Sequence, residues 1–292
     1  MTGNDSDARV RNAALLDWFD RHGRELSFRT TGHAPDPWAV LVSEVMLQQT
    51  QASRVEAHWR RFMTRFPRPT DLAEATPADV VRAWAGLGYN GRALRLQRTA
   101  RALVERYSGS VPGDPDVLGR LPGIGPYTAR AVAAIAFGRP VAALDTNIKR
   151  VLARVTGELV EQTAADGLVD RLRPAEWTHA MMDVGATLCR PRTPDCRSCP
   201  LARWCRCAAE GPCAGQVSRT RPAMPRFPST TRWLRGRIID RLRTAEDEAW
   251  VHLDAPMGEH GIDRISAAVA ALERDGLLER RPDGSVRLPS QP

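Results

Sequence analysis

The 292-residue chain has no cysteine before Cys189 and none after Cys213, so no disulfide framework can staple its first 188 residues or its C-terminal stretch. No uninterrupted apolar run approaches the roughly 20 residues of a membrane-spanning helix, and no membrane partner is expected. The opening Met1-Thr2-Gly3-Asn4-Asp5 lacks a basic-then-apolar leader, so a cytoplasmic, nucleoid-associated protein is expected. Strand-like alternation is missing before residue 245, which points to a helical body. Lysine is nearly missing too, with Lys149 the single one in the chain.

What is present is ordinary globular composition, 42% hydrophobic and 26% charged, which excludes disorder and low-complexity repeats. At about 150 residues per domain the length suits two domains. The 42 basic against 34 acidic residues give a net charge of +8. With a sequence pI near 9.8, a polyanionic partner such as nucleic acid is favoured. That charge is uneven: residues 229–292 carry −1 and residues 1–228 carry +9, which assigns the polyanion-binding face to the first part of the chain.

Apolar periodicity predicts helices over about 9–20, 51–65, 77–85, 91–106, 127–137, 146–156, 163–172 and 174–188. A further helix is opened by Asp36-Pro37 and carries the stripe Trp38, Leu41, Val42, Val45 and Met46. Residues 1–205 therefore form an all-helical body. From Arg206 to Thr231, four prolines and interspersed arginines indicate a basic Pro-rich linker over 206–231. Residues 232–292 hold two helical patterns and two short strands around Asp283-Gly284, which suggests a small α+β winged-helix-like domain.

The six cysteines lie close together, with Cys189-x6-Cys196-x2-Cys199-x5-Cys205 followed by Cys207 and Cys213. Four thiolates in one Pro-interrupted loop suit a metal centre. One close pair flanked by longer singles favours iron–sulfur over zinc without excluding zinc.

Four segments carry candidate chemistry. Leu121-Pro122-Gly123-Ile124-Gly125-Pro126-Tyr127 is a glycine hairpin opening a helix, a place where backbone N–H groups can hold a phosphate. Ser43-Glu44-Val45-Met46-Leu47-Gln48-Gln49-Thr50 sets a carboxylate at the edge of an apolar stripe. To donate a proton near pH 7, Glu44 needs a pKa raised by burial. Asp145 stands at a helix start, where capping holds it rigidly and ionised. An ionised Asp with a protonating Glu is the division of labour that cleaves glycosidic bonds. In Gly86-Leu87-Gly88-Tyr89-Asn90 an aromatic sits on a glycine-rich loop ahead of Arg92, Arg95, Arg98 and Arg101, which suits base wedging and phosphate contact, or equally core packing and a solvated face.

These motifs, in this order and with Ala180-Met181-Met182-Asp183-Val184-Gly185-Ala186, resemble the helix-hairpin-helix DNA glycosylases, most closely the adenine DNA glycosylases of the MutY type, over about residues 9–205. The resemblance implies a two-lobed helical fold, a [4Fe–4S] cluster on Cys189, Cys196, Cys199 and Cys205, and Glu44, Asp145 and Tyr127 in catalysis. It also implies that Gln48, Gln49, Tyr89, Gly123, Gly125 and Arg29 touch double-stranded DNA, and that a monomer removes adenine mispaired with 8-oxoguanine or guanine. In the endonuclease III type a lysine stands where this chain has Tyr127, so a monofunctional enzyme is implied. The chain departs from the family at Phe28-Arg29, where Trp-Arg is usual, at His179, where Gln or Glu is common, and in its C-terminal domain. A thymine glycosylase acting on T·G mismatches and a cluster-containing DNA-binding regulator are the alternatives; the Glu44 and Asp145 pair speaks against the regulator.

Overall fold

A computed structural model describes residues 3–29, 35–210, 226–246 and 249–290. Its helices are α1 (Gly3–His22), α2 (Pro37–Leu47), α3 (Ala52–Arg65), α4 (Pro69–Glu74), α5 (Pro77–Ala83), α6 (Gly91–Tyr107), α7 (Pro115–Leu118), α8 (Pro126–Phe137), α9 (Thr146–Thr156), α10 (Gln162–Asp166), α11 (Pro174–Asp183), α12 (Arg206–Ala209), α13 (Thr231–Thr244) and α14 (Ile262–Arg274). Two strands, β1 (Glu279–Arg280) and β2 (Val286–Arg287), pair antiparallel, and Val251 bridges to Val286. Among the described residues no strand precedes residue 245, and no helix is long and apolar enough to cross a membrane.

Local sequence explains where most helices begin. α2, α4, α5, α7, α8 and α11 start on proline, whose missing N–H is unneeded there. Side chains of Thr76, Asp114, Asp145 and Thr230 accept backbone N–H groups at the starts of α5, α7, α9 and α13. The helix expected over 163–172 ends at Asp166; Leu168 and Val169 then bond back three residues, and the Asp170 carboxylate accepts the N–H groups of Leu172 and Arg173. The one expected over 174–188 changes pitch after Asp183 into a π turn, Val184–Leu188, in which Gly185 packs so tightly on Asn147 that an added Cβ would lie 2.7 Å from the Asn147 Cβ. α4 and α7, of six and four residues, are too short for periodicity to reveal. In the segment expected as linker, α12 and a 3-10 turn at Phe227–Ser229 are formed; Cys213, Pro212, Pro222 and Pro225 lie outside the described residues.

The chain divides into two compact units. The first takes the N-terminal residues through Glu44, then Pro112–Arg120, then Ile124 through the cysteine loop. Its core joins Leu15, Leu16 and Phe19 of α1, Ile148, Val151, Leu152 and Val155 of α9, and Trp177, Ala180 and Met181 of α11; Cys189, Cys199 and Cys205 pack against it. The second unit takes Val45–Val111, Leu121–Gly123 and the C-terminal segment. There Phe62 meets Phe66 and Trp84 edge-on, and Ala78 and Val81 of α5 share one apolar core with Leu234, Ile238, Ile239 and Leu242 of α13, Ile265, Val269 and Leu272 of α14 and Val286 of β2. The C-terminal segment is thus built onto α5.

In the glycine hairpin only one glycine answers a backbone demand. Gly123 has φ of 82°, and an added Cβ would meet the Arg95 Cβ at 2.9 Å, whereas Gly125 is extended, caps α8 and would place a Cβ in open space. Gly123→Ala should therefore cost at least about 1–2 kcal/mol, while Gly125→Ala should leave stability within about 0.5 kcal/mol. Thermal or urea unfolding of the two variants checks this; equal losses would contradict it.

Candidate active site and DNA-facing loops

In the first unit, Glu44 ends that unit's share of α2 with 4% of its surface exposed. Burial raises its pKa to about 7, against the hydroxyl of Tyr127 and the charge of Arg29, which favour the ionised form; the Asp145 charge pushes upward again. Tyr127, the second residue of α8, donates its hydroxyl to Glu44 Oε2 at 3.2 Å. Burial and the neighbouring Glu44 push the phenol well above its ordinary range, so it serves as a donor. Asp145 is the N-cap of α9: one carboxylate oxygen accepts the Ile148 N–H at 2.6 Å and the other the Asn147 amide at 3.1 Å. Capping at the positive end of the helix holds this carboxylate beside Glu44 without consuming a separate cation.

A second buried acid organises the surroundings. Asp183 is fully buried and takes donors from Arg29, at 2.9 Å each for two nitrogens, and from Arg24, whose backbone N–H, Nε and Nη2 lie at 2.9, 2.8 and 2.6 Å. Burial works to raise its pKa, and the two arginines overcome that and hold it below the usual carboxylate range. Arg29, expected among the DNA contacts, is instead 7% exposed at its side chain and locked to Asp183, close enough to act electrostatically on Glu44 and Tyr127. The same environment pushes His179 down to about 3, through desolvation first and Arg29 second, so its imidazole is neutral beside the Phe19 ring at 6.3 Å.

The cysteine loop is tied to Asp145 through side chains. Arg150 donates to the carbonyls of Cys189 at 2.8 Å and Gly185 at 2.7 Å, and to the Asn147 oxygen at 2.8 Å, while Asn147 donates to Asp145. Cys189, Cys196, Cys199 and Cys205 line one small cavity together with Arg154 and Pro194. Burial pushes the Cys199 thiol up to about 11 and raises that of Cys205, a state a bound cation reverses. Arg154 reaches Cys189 Sγ at 3.3 Å. Among the described residues no three such ligands gather closely enough for a single metal ion. Cys207 is disulfide-bonded and so stands apart from this set.

In the second unit the remaining sequence candidates fall on two strained turns. Gln49 and Tyr89 are non-glycine residues at φ of 55° and 46°. Each such residue costs about 1–2 kcal/mol, which the surroundings must offset. Arg92 does so: its buried guanidinium donates to the carbonyls of Val45, Met46 and Gln48, to Thr50 Oγ1, and to the carbonyls of Leu87 and Gly88, at 2.6–3.1 Å. Arg101 likewise serves structure, bonding the Ala73 carbonyl, while Arg95 and Arg98 are exposed. The row of four arginines therefore divides into two fasteners and two surface cations.

Asp183, Arg24, Asn147 and Arg150 were not legible as site residues. The one available signal was the lone acid in the apolar run Ala180-Met181-Met182-Asp183-Val184.

Comparison with known proteins agrees with this geometry. Residues 42–166 match the HhH-GPD superfamily base excision DNA repair protein family. The adenine DNA glycosylase of Mycobacterium tuberculosis is 38% identical over 97% of this chain and 94% of its own length, and that of Homo sapiens is 42% identical over 66% of this chain and 38% of its own. Among solved structures, a thermostable thymine-DNA glycosylase superposes with a TM-score of 0.65 at 26% identity, covering 71% of this chain and 99% of that one. An endonuclease III trapped as a covalent DNA intermediate superposes at 0.59 and 25%, covering 70% and 97%. With a mostly helical glycosylase fold and similarity along nearly its whole length, the chain belongs to the adenine DNA glycosylases of the HhH-GPD superfamily.

Proposed function

We propose that this enzyme removes adenine mispaired with 8-oxoguanine or guanine in double-stranded DNA by hydrolysing its N-glycosidic bond, with Glu44, Asp145 and Tyr127 in the reaction. The observation that carries this reading is Glu44, a buried acid with a pKa near 7 beside a rigidly capped Asp145. Flipping the nucleotide out of the stack costs a few kcal/mol, less at a mismatch. Glu44 passes its proton to N7 of the flipped adenine. The bond between the sugar carbon and the base then breaks, with its electron pair leaving on the base. The Asp145 carboxylate stabilises the sugar cation, and water adds to it while its proton returns to the Glu44 carboxylate. Tyr127 offers a hydroxyl and no amine, and Lys149 is exposed, which supports a monofunctional enzyme.

Gln48, Gln49, Tyr89, Gly123 and Gly125 are the proposed DNA contacts; Arg29, given its pairing with Asp183, orients and tunes the acid. The cysteine cavity supports a [4Fe–4S] cluster held by Cys189, Cys196, Cys199 and Cys205. When bound, such a cluster fixes the loop, and Arg150 carries that fixity toward Asn147 and Asp145. α13, α14 and the β1–β2 hairpin support a winged-helix-like C-terminal domain. The enzyme is taken to act in the cytoplasm as a monomer.

Three measurements test this. Single-turnover excision from duplexes carrying A opposite 8-oxoguanine, A opposite G and T opposite G should release adenine from the first two; release of thymine alone would transfer the assignment to the thymine glycosylases. The excision rate should be flat below about pH 7 and fall about tenfold per unit above it as Glu44 loses its proton. The same shift has a stability sign: folding favours the protonated carboxyl, a contribution present below the ordinary carboxylate pKa and lost as pH rises through about 7. Glu44→Gln should hence lose about 100-fold or more in rate and melt higher than the wild type at pH 8 but not at pH 4.5. Protein isolated anaerobically should contain iron and acid-labile sulfide, both lost in Cys199→Ser; stoichiometric zinc would refute the cluster.

A further inference from the structure

Within the second unit, the C-terminal segment places a cation directly on the strained loop. The Arg232 guanidinium carbon lies 4.1 Å from the centroid of the Tyr89 ring and 5.4 Å from that of Phe227. Tyr89 is 36% and Phe227 55% exposed. Both sides of this stack are held independently. Tyr89 follows the Leu87 and Gly88 carbonyls gripped by Arg92, and its neighbour Asn90 accepts a bond from Arg243 of α13 at 2.8 Å. On the other side, Thr230 caps α13 and bonds the Phe227 carbonyl, and buried His260 donates Nε2–H to the Pro228 carbonyl at 2.8 Å while stacking on Trp233.

Docking the segment does not require this stack. An exposed cation–π pair contributes about 0.5–1 kcal/mol, whereas the apolar core that α13 and α14 share with α5 contains many side chains worth about 1.5–3 kcal/mol each. Charge points the same way. Arg92 feels the positive charges of both Arg95 and Arg232, and among the described residues none of the three pairs with a carboxylate. Three close guanidiniums without an acid lower stability until an anion arrives. Arg92 is buried and donates to five carbonyls and Thr50 Oγ1, while Arg232 is exposed.

We propose that Arg232 is a DNA-contacting residue, presented by Tyr89 and Phe227, that donates to oxygen acceptors of the DNA beside the point where Tyr89 engages it. A guanidinium held over an aromatic ring can still offer its planar N–H fork, which suits phosphate oxygens and the O6/N7 edge of a purine. This rests on the reading of Tyr89 as a DNA contact in an adenine glycosylase, but it adds a residue outside the segment 42–166 that matches the family model. The C-terminal segment, despite its charge of −1, thereby supplies a cation to the DNA-facing loop.

The test is binding of an uncleavable duplex, a reduced abasic site opposite 8-oxoguanine or guanine, across a salt series, with wild type, Arg232→Ala and Arg232→Lys in the full chain. For a phosphate contact, Arg232→Ala should weaken both duplexes alike and make the salt slope shallower by about 0.9, with Lys restoring most of the slope. For a base-edge contact, the slope should hold and the preference for 8-oxoguanine over guanine should fall by about 5-fold or more, with Lys failing to restore it. Either pattern supports the proposal. Unchanged affinity, slope and preference in Arg232→Ala, with an unchanged melting temperature, would overturn it. Because binding is read without turnover, a wild type that released no adenine would sink the functional reading and leave this measurement intact.

Discussion

One buried guanidinium holds the two turns of the second unit that carry Gln49 and Tyr89. Arg92 is 3% exposed and fastens two chain segments at once, the carbonyls at the end of α2 and those of the loop before α6. Those carbonyls would otherwise be unmatched at a helix end and in a tight loop, where each costs about 1–3 kcal/mol if buried. The same bonds keep Gln49 and Tyr89 in left-handed backbone. A lysine could not replace it, since three donors on one nitrogen cannot serve two segments in a plane.

The first unit uses buried charge differently. Asp183 is matched by two arginines and stays ionised, whereas Glu44 is offered a hydroxyl and only the through-space charge of Arg29, and its pKa rises to about 7. The contrast comes from the number of donors, since both acids are buried. A carboxyl that can both hold and release its proton near pH 7 requires such incomplete compensation, and Arg29, shared between the two acids, sets how incomplete it is.

The C-terminal segment carries a net charge of −1 and still places a cation on the Tyr89 ring. The first 228 residues carry +9, and the cation over Tyr89 comes from Arg232 beyond them. Electrostatic recognition depends on where charge stands, and the shared core with α5 puts the start of α13 at the Tyr89 loop.

The helices, their starts and the motif residues were legible from sequence because they are local: a proline at a first turn, an Asp or Thr cap and a 3.6-residue stripe act over a few residues whatever the rest of the chain does. Glu44, Tyr127, Asp145 and the cysteine spacing were legible for the same reason, each sitting in a short patterned segment. Pairing was not. In a chain with 42 cations and 34 acids, nothing local says that Arg29 turns to Asp183, that Arg92 is buried while Arg95 and Arg98 are exposed, or that Arg232 lies on Tyr89. Gly123 and Gly125 look alike in the motif, and only backbone geometry separates them. Local free energies write the elements into the sequence. Partner choice and pKa depend on burial and on groups brought together from distant parts of the chain, and those exist only once the chain has packed.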